Sequence, residues 1–368
     1  MSDMDDLKYW LALNHVPGIG DVLYKRLIDY FKSPVKIFSS SVKELKKVEG
    51  VGDKLAGDIL SVGSCGQTDW KKKVDTEISR IEKEKVRVIT LSDDSYPENL
   101  KRIYDPPPFL YVKGDITKED SRAVAIVGSR KASTYGRLMA ERLSNDLASQ
   151  GITVVSGMAR GIDTFSHQGA LSAGGRTIAV LGCGIDIVYP SENKNLRDRI
   201  TESGAVLTEF PLSTQPEAVN FPSRNRIISG LSLGVVIIEA TFDSGSLITA
   251  STALDQGREV FAVPGNITSK LSQGTNKLIK KGAKLVENVD DILEEILPQM
   301  GKRKRDIPKP ELTQEEEIIY NLLSDEPKHI DTISRESRLT SNKVLGILLG
   351  MEIKGAVRQL PGMSFVVM

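Results

Sequence analysis

At 368 residues and 40% hydrophobic, the chain is long enough for two or three domains with buried cores and too apolar for wholesale disorder. Lys plus Arg and Asp plus Glu number 49 each, so no global positive field attracts nucleic acid, and such a ligand would need a local basic pocket. No apolar run approaches the roughly 20 residues that cross a bilayer, and Cys65 and Cys183 lack metal-ligand spacing, which fits a reducing cytoplasm. The acidic start, Met1-Ser2-Asp3-Met4-Asp5-Asp6, does not read as a signal peptide.

Residues 7–75 carry an all-helical pattern, and a helical domain is expected over 1–80. Within it His15-Val16-Pro17-Gly18-Ile19-Gly20 precedes Leu23 and Leu27, and Lys47-Val48-Glu49-Gly50-Val51-Gly52 precedes Leu55 and Ile59. Each is an apolar-x-Gly-apolar-Gly turn opening a helix, the spacing of a helix-hairpin-helix motif. Glycine permits the tight turn, and the helix N-terminus offers amides to a phosphate. The same glycines read equally as caps of two packed helices. Lys25, Arg26 and Lys54 lie nearby, diluted by Asp21, Asp53 and Asp58.

From 81 to 298 apolar strands alternate with amphipathic helices. Strands are expected over 123–127, 153–155, 177–181, 205–208, 235–239 and 259–263, with helices over 135–149, 162–173, 191–202 and 245–256. Continuous β-branched runs alternating with helices predict a Rossmann-like, mostly parallel α/β sheet covered on both faces. Residues 86–91 and 109–112, flanking Tyr104-Asp105-Pro106-Pro107-Pro108, are expected as an entry segment to this domain.

Residues 299–310, basic, with two prolines and no periodicity, have the composition of a linker. Over 311–368, helices at 315–323, 330–338 and 341–353 precede a hairpin at 356–367, the outline of a winged-helix domain. Its third helix offers chiefly Asn342, Lys343 and Lys354, and nine acids outnumber six Lys or Arg, a poor balance for reading duplex DNA.

In an open parallel sheet, ligands bind beyond the carboxyl ends of the strands. At those positions stand Gly128-Ser129-Arg130-Lys131, then Ser156-Gly157-Met158-Ala159-Arg160-Gly161-Ile162-Asp163, then Gly182-Cys183-Gly184-Ile185-Asp186 and Glu209-Phe210-Pro211. Phe221-Pro222-Ser223-Arg224-Asn225-Arg226 opens a further helix, and Phe242-Asp243-Ser244-Gly245-Ser246 follows the strand at 235–239. Glycines let amides approach an anion and arginines fork onto phosphate oxygens. Each glycine could equally serve only a strand-to-helix turn, and Arg160 could pair with Asp163. Asp186 and Glu239 suit caps or ion pairs better than catalysis.

The turn after the first strand is not G-x-G-x-x-G, and no Walker loop occurs. His15, His167 and His329 are scattered one to a region, with no metal or Ser-His-Asp spacing. His167 is expected as a partly buried, satisfied histidine. No catalytic residue, metal or cofactor is expected.

The segments Val127-Gly128-Ser129-Arg130, Ser156–Asp163 with His167, 178–190, Glu209-Phe210-Pro211, 220–231, 244–250, 256–265 and Gly274-Thr275-Asn276 together resemble the DNA-processing protein DprA (Smf) family. The resemblance implies a cytoplasmic, non-enzymatic protein that binds incoming single-stranded DNA in natural transformation, protects it and loads the RecA recombinase, as a homodimer formed through the middle domain. It also implies a DNA pocket of Gly128, Ser129, Arg130, Arg224, Asn225 and Arg226, with Arg160 and Lys194 nearby. Ser223 stands where some relatives carry a basic residue, which would place more weight on Arg224 and Arg226. Arg130, Arg224 and Arg226 are thus expected to grip successive phosphates, with base stacking secondary because only 5% of the chain is aromatic. Two other functions fit parts of the pattern. One is a nucleotide-processing enzyme of the phosphoribohydrolase-like class, suggested by Glu239 and Gly274-Thr275 but lacking its Pro-Gly-Gly-x-Gly-Thr motif. The other is a duplex-binding regulator acting through the winged helix.

Overall fold

The computed structural model describes residues 3–63, 68–296, 312–324 and 326–367. The expected linker at 299–310 and Cys65 lie outside them. Two compact units emerge from the contacts within the chain, Met1–Gly301 and Lys302–Met368.

Nine strands form the first unit's sheet: β1 (Arg87–Thr90), β2 (Phe109–Gly114), β3 (Ala123–Val127), β4 (Thr153–Ser156), β5 (Thr177–Val180), β6 (Ala205–Thr208), β7 (Gly234–Ile237), β8 (Glu259–Ala262) and β9 (Lys284–Leu285). Their order is β1-β2-β6-β5-β4-β3-β7-β8-β9. All pairings from β6 to β9 are parallel, and β2 pairs antiparallel with both β1 and β6. The supposed entry segment is therefore an edge extension of the sheet, with Tyr111 opposite Thr208. Phe109, Leu110, Tyr111 and Val112 are all buried, so both faces of β2 are covered as well.

Continuous apolar strands work here because side chains alternate between two cores. Ala123, Ala125 and Val127 join one cluster, while Val124 and Ile126 join the other with Leu143 and Leu147 of the Thr134–Ser149 helix. The first cluster runs on without a break into Leu11, Leu27, Ile37 and Ile59 of the helical region. That region thus shares its core with the sheet.

The two hairpin turns pack reciprocally. A Cβ on Gly18 (φ +90°) would meet Leu55, and one on Gly50 (φ +98°) would meet Leu23. The repeat in the sequence is therefore a pseudo-symmetric pair, and both glycines occupy the left-handed region that other residues avoid. Lys25 does not face outward for a phosphate: its Nζ donates to the carbonyls of Lys101 and Ile103.

The second unit packs helices Gln314–Tyr320, Ile330–Ser337 and Ser341–Ile353 on a small sheet of β10 (Lys328–His329), β11 (Val357–Leu360) and β12 (Ser364–Val367), ordered β10-β12-β11. It is a winged-helix module. Its third helix buries Val344, Leu348 and Met351 and exposes Leu345, Leu349 and Ile353. Lys343 and Lys354 are engaged by Glu315 and Glu316.

Candidate nucleic-acid interface

Going outward from β3, β4 to β6 run one way across the sheet and β7 to β9 the other. The direction changes between β3 and β7, and in such sheets ligands bind beyond the carboxyl ends of the strands at that switch point. The turn after β3 is fixed from several sides. Ser129 N donates to Glu239 O (2.8 Å), Lys131 N donates to Ser129 Oγ (3.1 Å) and Ile162 N donates to Ser129 O (3.2 Å). A Cβ on Gly128 would lie 2.7 Å from Ile162 Cγ1.

Ser133 caps the next helix, its Oγ accepting from Gly136 N (3.1 Å). Glu239 holds that cap with both oxygens: Oε2 accepts from Ser133 N (2.9 Å) and Oε1 from Ser133 Oγ (2.5 Å). Asp186 also serves structure, accepting from Ser213 N at 2.8 and 3.0 Å. After β4, Gly161 has φ +75°, and a Cβ there would sit 2.3 Å from Ser129 O. The two turns touch, backbone on backbone.

Two of the expected basic residues take other positions than expected. Arg224 is 3% exposed; its Nη1 donates to Gly157 O and Val180 O, both at 2.5 Å. Burial lowers its pKa to about 10, so it stays charged at neutral pH. Arg226 is 8% exposed and is shared by Asp21 (2.7 Å), Glu209 and Asp105 (3.5 Å). Both guanidinium groups lie beneath the border, contrary to the expectation that they grip phosphates. The cause is the helix Asn220–Leu231, whose 224–231 stretch is entirely buried, with Asn225 included at 9% exposure. Arg160 is exposed and pairs with Glu192, not with Asp163. Asp163 is itself buried and accepts from Ala159 N; burial raises its pKa against the pull of Arg224. Lys194 is exposed and pairs with Asp198 at 3.0 Å.

Arg130 is different. It is exposed, and its Cζ stands 4.8 Å above the Phe221 ring, within cation–π range. The Phe221 ring also lies 5.9 Å from that of Tyr189, which is 38% exposed. Among the described residues no carboxylate forms an ion pair with Arg130. Phe221 and Tyr189 were missed as site residues, although both stand in the motifs around the basic segment. A low aromatic content gave no hint that a ring lies under the Arg130 guanidinium with a second ring beside it.

His167 is fully buried. Thr177 Oγ1 donates to Val154 O (2.7 Å), so it accepts from His167 Nδ1–H at 2.7 Å. The Nε2 atom has no partner among the described residues, so this histidine is more deeply buried and less satisfied than expected. Among the described residues no group of His, Cys, Asp and Glu could hold a metal ion. Cys183 is buried, its thiol pushed up to about 11 by burial.

A Rossmann-like sheet with an anion-friendly border, carrying a helix-hairpin-helix region before it and a winged helix after it, defines a class of modular DNA-handling protein. The family profile described as DNA recombination-mediator protein A matches residues 87–297, with a DprA winged helix domain at 303–363 and a SAM-like helix-hairpin-helix tandem at 11–61. The chain belongs to the DNA recombination-mediator protein A family, the DprA (Smf) proteins. It is 33% identical to Protein Smf of Synechocystis over 97% of this chain and 98% of that one. The X-ray structure of DNA processing protein A from Streptococcus pneumoniae aligns with a TM-score of 0.63 at 35% identity, covering 80% of this chain and 98% of the other. The DNA processing protein A of Helicobacter pylori, whose structure was described for its single-stranded DNA binding mode, aligns with a TM-score of 0.52 at 32% identity, covering 58% and 96%. No helix among the described residues is long and apolar enough to cross a membrane.

Proposed function

We propose that this protein binds single-stranded DNA along the carboxyl border of its sheet without cutting it, shields it, and passes it to the RecA recombinase during natural transformation, acting as a cytoplasmic homodimer. The observation that carries the binding reading is the exposed Arg130 guanidinium lying on Phe221 beside Tyr189 at the switch point. A cation over an aromatic platform matches a strand that offers alternating phosphates and bases. The binding mode described for the Helicobacter pylori relative supports it.

In this reading Gly128, Ser129 and Arg130 contact the strand, with Arg160 and Lys194 exchanging their carboxylate partners for phosphates. Arg224, Asn225 and Arg226 position the border from below. The 81–298 region carries the DNA, flanked by the 1–80 helical region and the 311–368 winged-helix domain. The commitment of both Glu239 oxygens to Ser133 supports binding over release of a free base. The test is a salt titration of binding to single strands for wild type and Arg130→Ala. Each lost phosphate contact should lower the magnitude of the slope of log affinity against log salt by about 0.7. Equal slopes and equal affinities would remove Arg130 from the interface.

A further inference from the structure

The helix Thr68–Lys83 contributes nothing to the site above, yet it borders a cleft of about 320 Å³ against the loop that follows β6. Val74, Ile78 and Ile81 face the core. The opposite side lines the cleft with Lys72, Lys73 and Arg80, and Pro211 and Leu212 form the far wall together with His15 at the mouth of the first hairpin.

Glu77, the acid of this cleft, is turned inward. It accepts from the buried Tyr111 hydroxyl and lies 3.8 Å from His15 Nε2, with its side chain 11% exposed. Lys72, Lys73 and Arg80 are exposed. The far wall is held in place: Asp186 accepts from Ser213 N, Gly184 N donates to Thr214 O (2.9 Å), and Arg80 Nη1 reaches across to Ser213 Oγ (3.1 Å). Charge sits on one side and apolar surface on the other. A nucleotide has the same division, with a phosphate at one edge and a flat base at the other.

The position matters as much as the chemistry. The cleft opens at the carboxyl end of β6, and Arg130 stands at that of β3, three strands away in the order β6-β5-β4-β3. At the usual strand spacing that is about 14 Å, a distance that a few nucleotides span. We infer that the cleft between the Thr68–Lys83 helix and the Pro211-Leu212 loop is a second phosphodiester subsite, which receives the same single strand after it leaves the border at Arg130. The inference rests on the proposed binding of single strands at that border.

The experiment compares the full chain and its Lys72→Gln/Arg80→Gln double variant on oligothymidylates of about 5 and about 15 nucleotides, near the two ends of the range of about 4–16 nucleotides that single-strand-binding OB folds cover. The double variant should bind the long strand about tenfold more weakly, with its salt slope reduced by about 1.4 for two lost contacts. Its affinity for the short strand should equal that of wild type, which also reports an intact fold. Unchanged binding of the long strand overturns the subsite, and so does an equal loss on both lengths. Arg130→Ala run in parallel separates the two ideas. If it weakens neither length, the border reading fails, while the double variant still reads the cleft.

Discussion

The Arg224 guanidinium passes directly over Gly157: its Nη1 donates to the Gly157 carbonyl, and a Cβ on that glycine would lie 2.2 Å from the same nitrogen. The glycine of this turn is required by a buried cation, not by its own backbone angle. Adding a methyl group would displace a charge that has no route to solvent. Gly157→Ala should therefore lose about 3–5 kcal/mol, the scale for uncoupling a buried charge from its partners. Urea unfolding measures it; a loss below about 1 kcal/mol would mean that the guanidinium has another place to go.

His167 makes a pH prediction. Burial, helped by Arg224, holds its pKa at about 3 instead of 6.5. The unfolded chain takes up this proton from about pH 6.5 downward and the folded chain resists it, so its contribution to stability is complete above pH 6.5. It is lost as pH falls toward 3, with a limiting slope of about 1.4 kcal/mol per pH unit. Glu209, whose pKa burial raises despite Arg226, tilts the opposite way, its contribution being present at low pH and lost as pH rises. The comparison should therefore be with His167→Gln, whose unfolding free energy is expected to fall less than that of wild type between pH 7 and pH 5. Parallel curves would exclude a neutral buried imidazole.

Phe221 separates stacking from charge. The ring lies under Arg130 at 4.8 Å and beside Arg224 at 5.8 Å. Phe221→Ala should weaken single-strand binding by about 1–3 kcal/mol through lost base stacking, while the salt slope stays as in wild type. Arg130→Ala should change the slope instead. If both variants alter affinity and slope alike, Phe221 acts only by holding Arg130 in place.

The winged helix should be dispensable for the single-strand interaction. Its third helix exposes Leu345, Leu349 and Ile353, and its lysines are taken up by Glu315 and Glu316. A chain ending at residue 301 should keep its single-strand affinity within about twofold, since the phosphate contacts that set affinity come from the first unit. Duplex binding by the full chain that is tighter than single-strand binding, and lost on truncation, would restore the duplex-regulator reading.

The parallel sheet was legible because each of its central strands is a continuous apolar run bracketed by glycine or polar turns, and β3 and β6 fall where the pattern places them. So were the border turns, since glycine-rich segments after strands lie at the carboxyl ends by topology alone. What a local pattern does not carry is which way a side chain leaves its helix and who meets it there. Phe221-Pro222-Ser223-Arg224-Asn225-Arg226 looks like a basic surface in one dimension; only when Gly157, Val180, Asp21 and Glu209 arrive from distant segments do two of its cations become interior. Three-dimensional placement left Arg130 as the exposed guanidinium on the aromatic platform. It also brought Lys72 and Arg80, more than a hundred residues from Pro211-Leu212, to the opposite wall of a cleft. Desolvation and long-range contact set those outcomes, and both depend on neighbours that only the folded chain supplies.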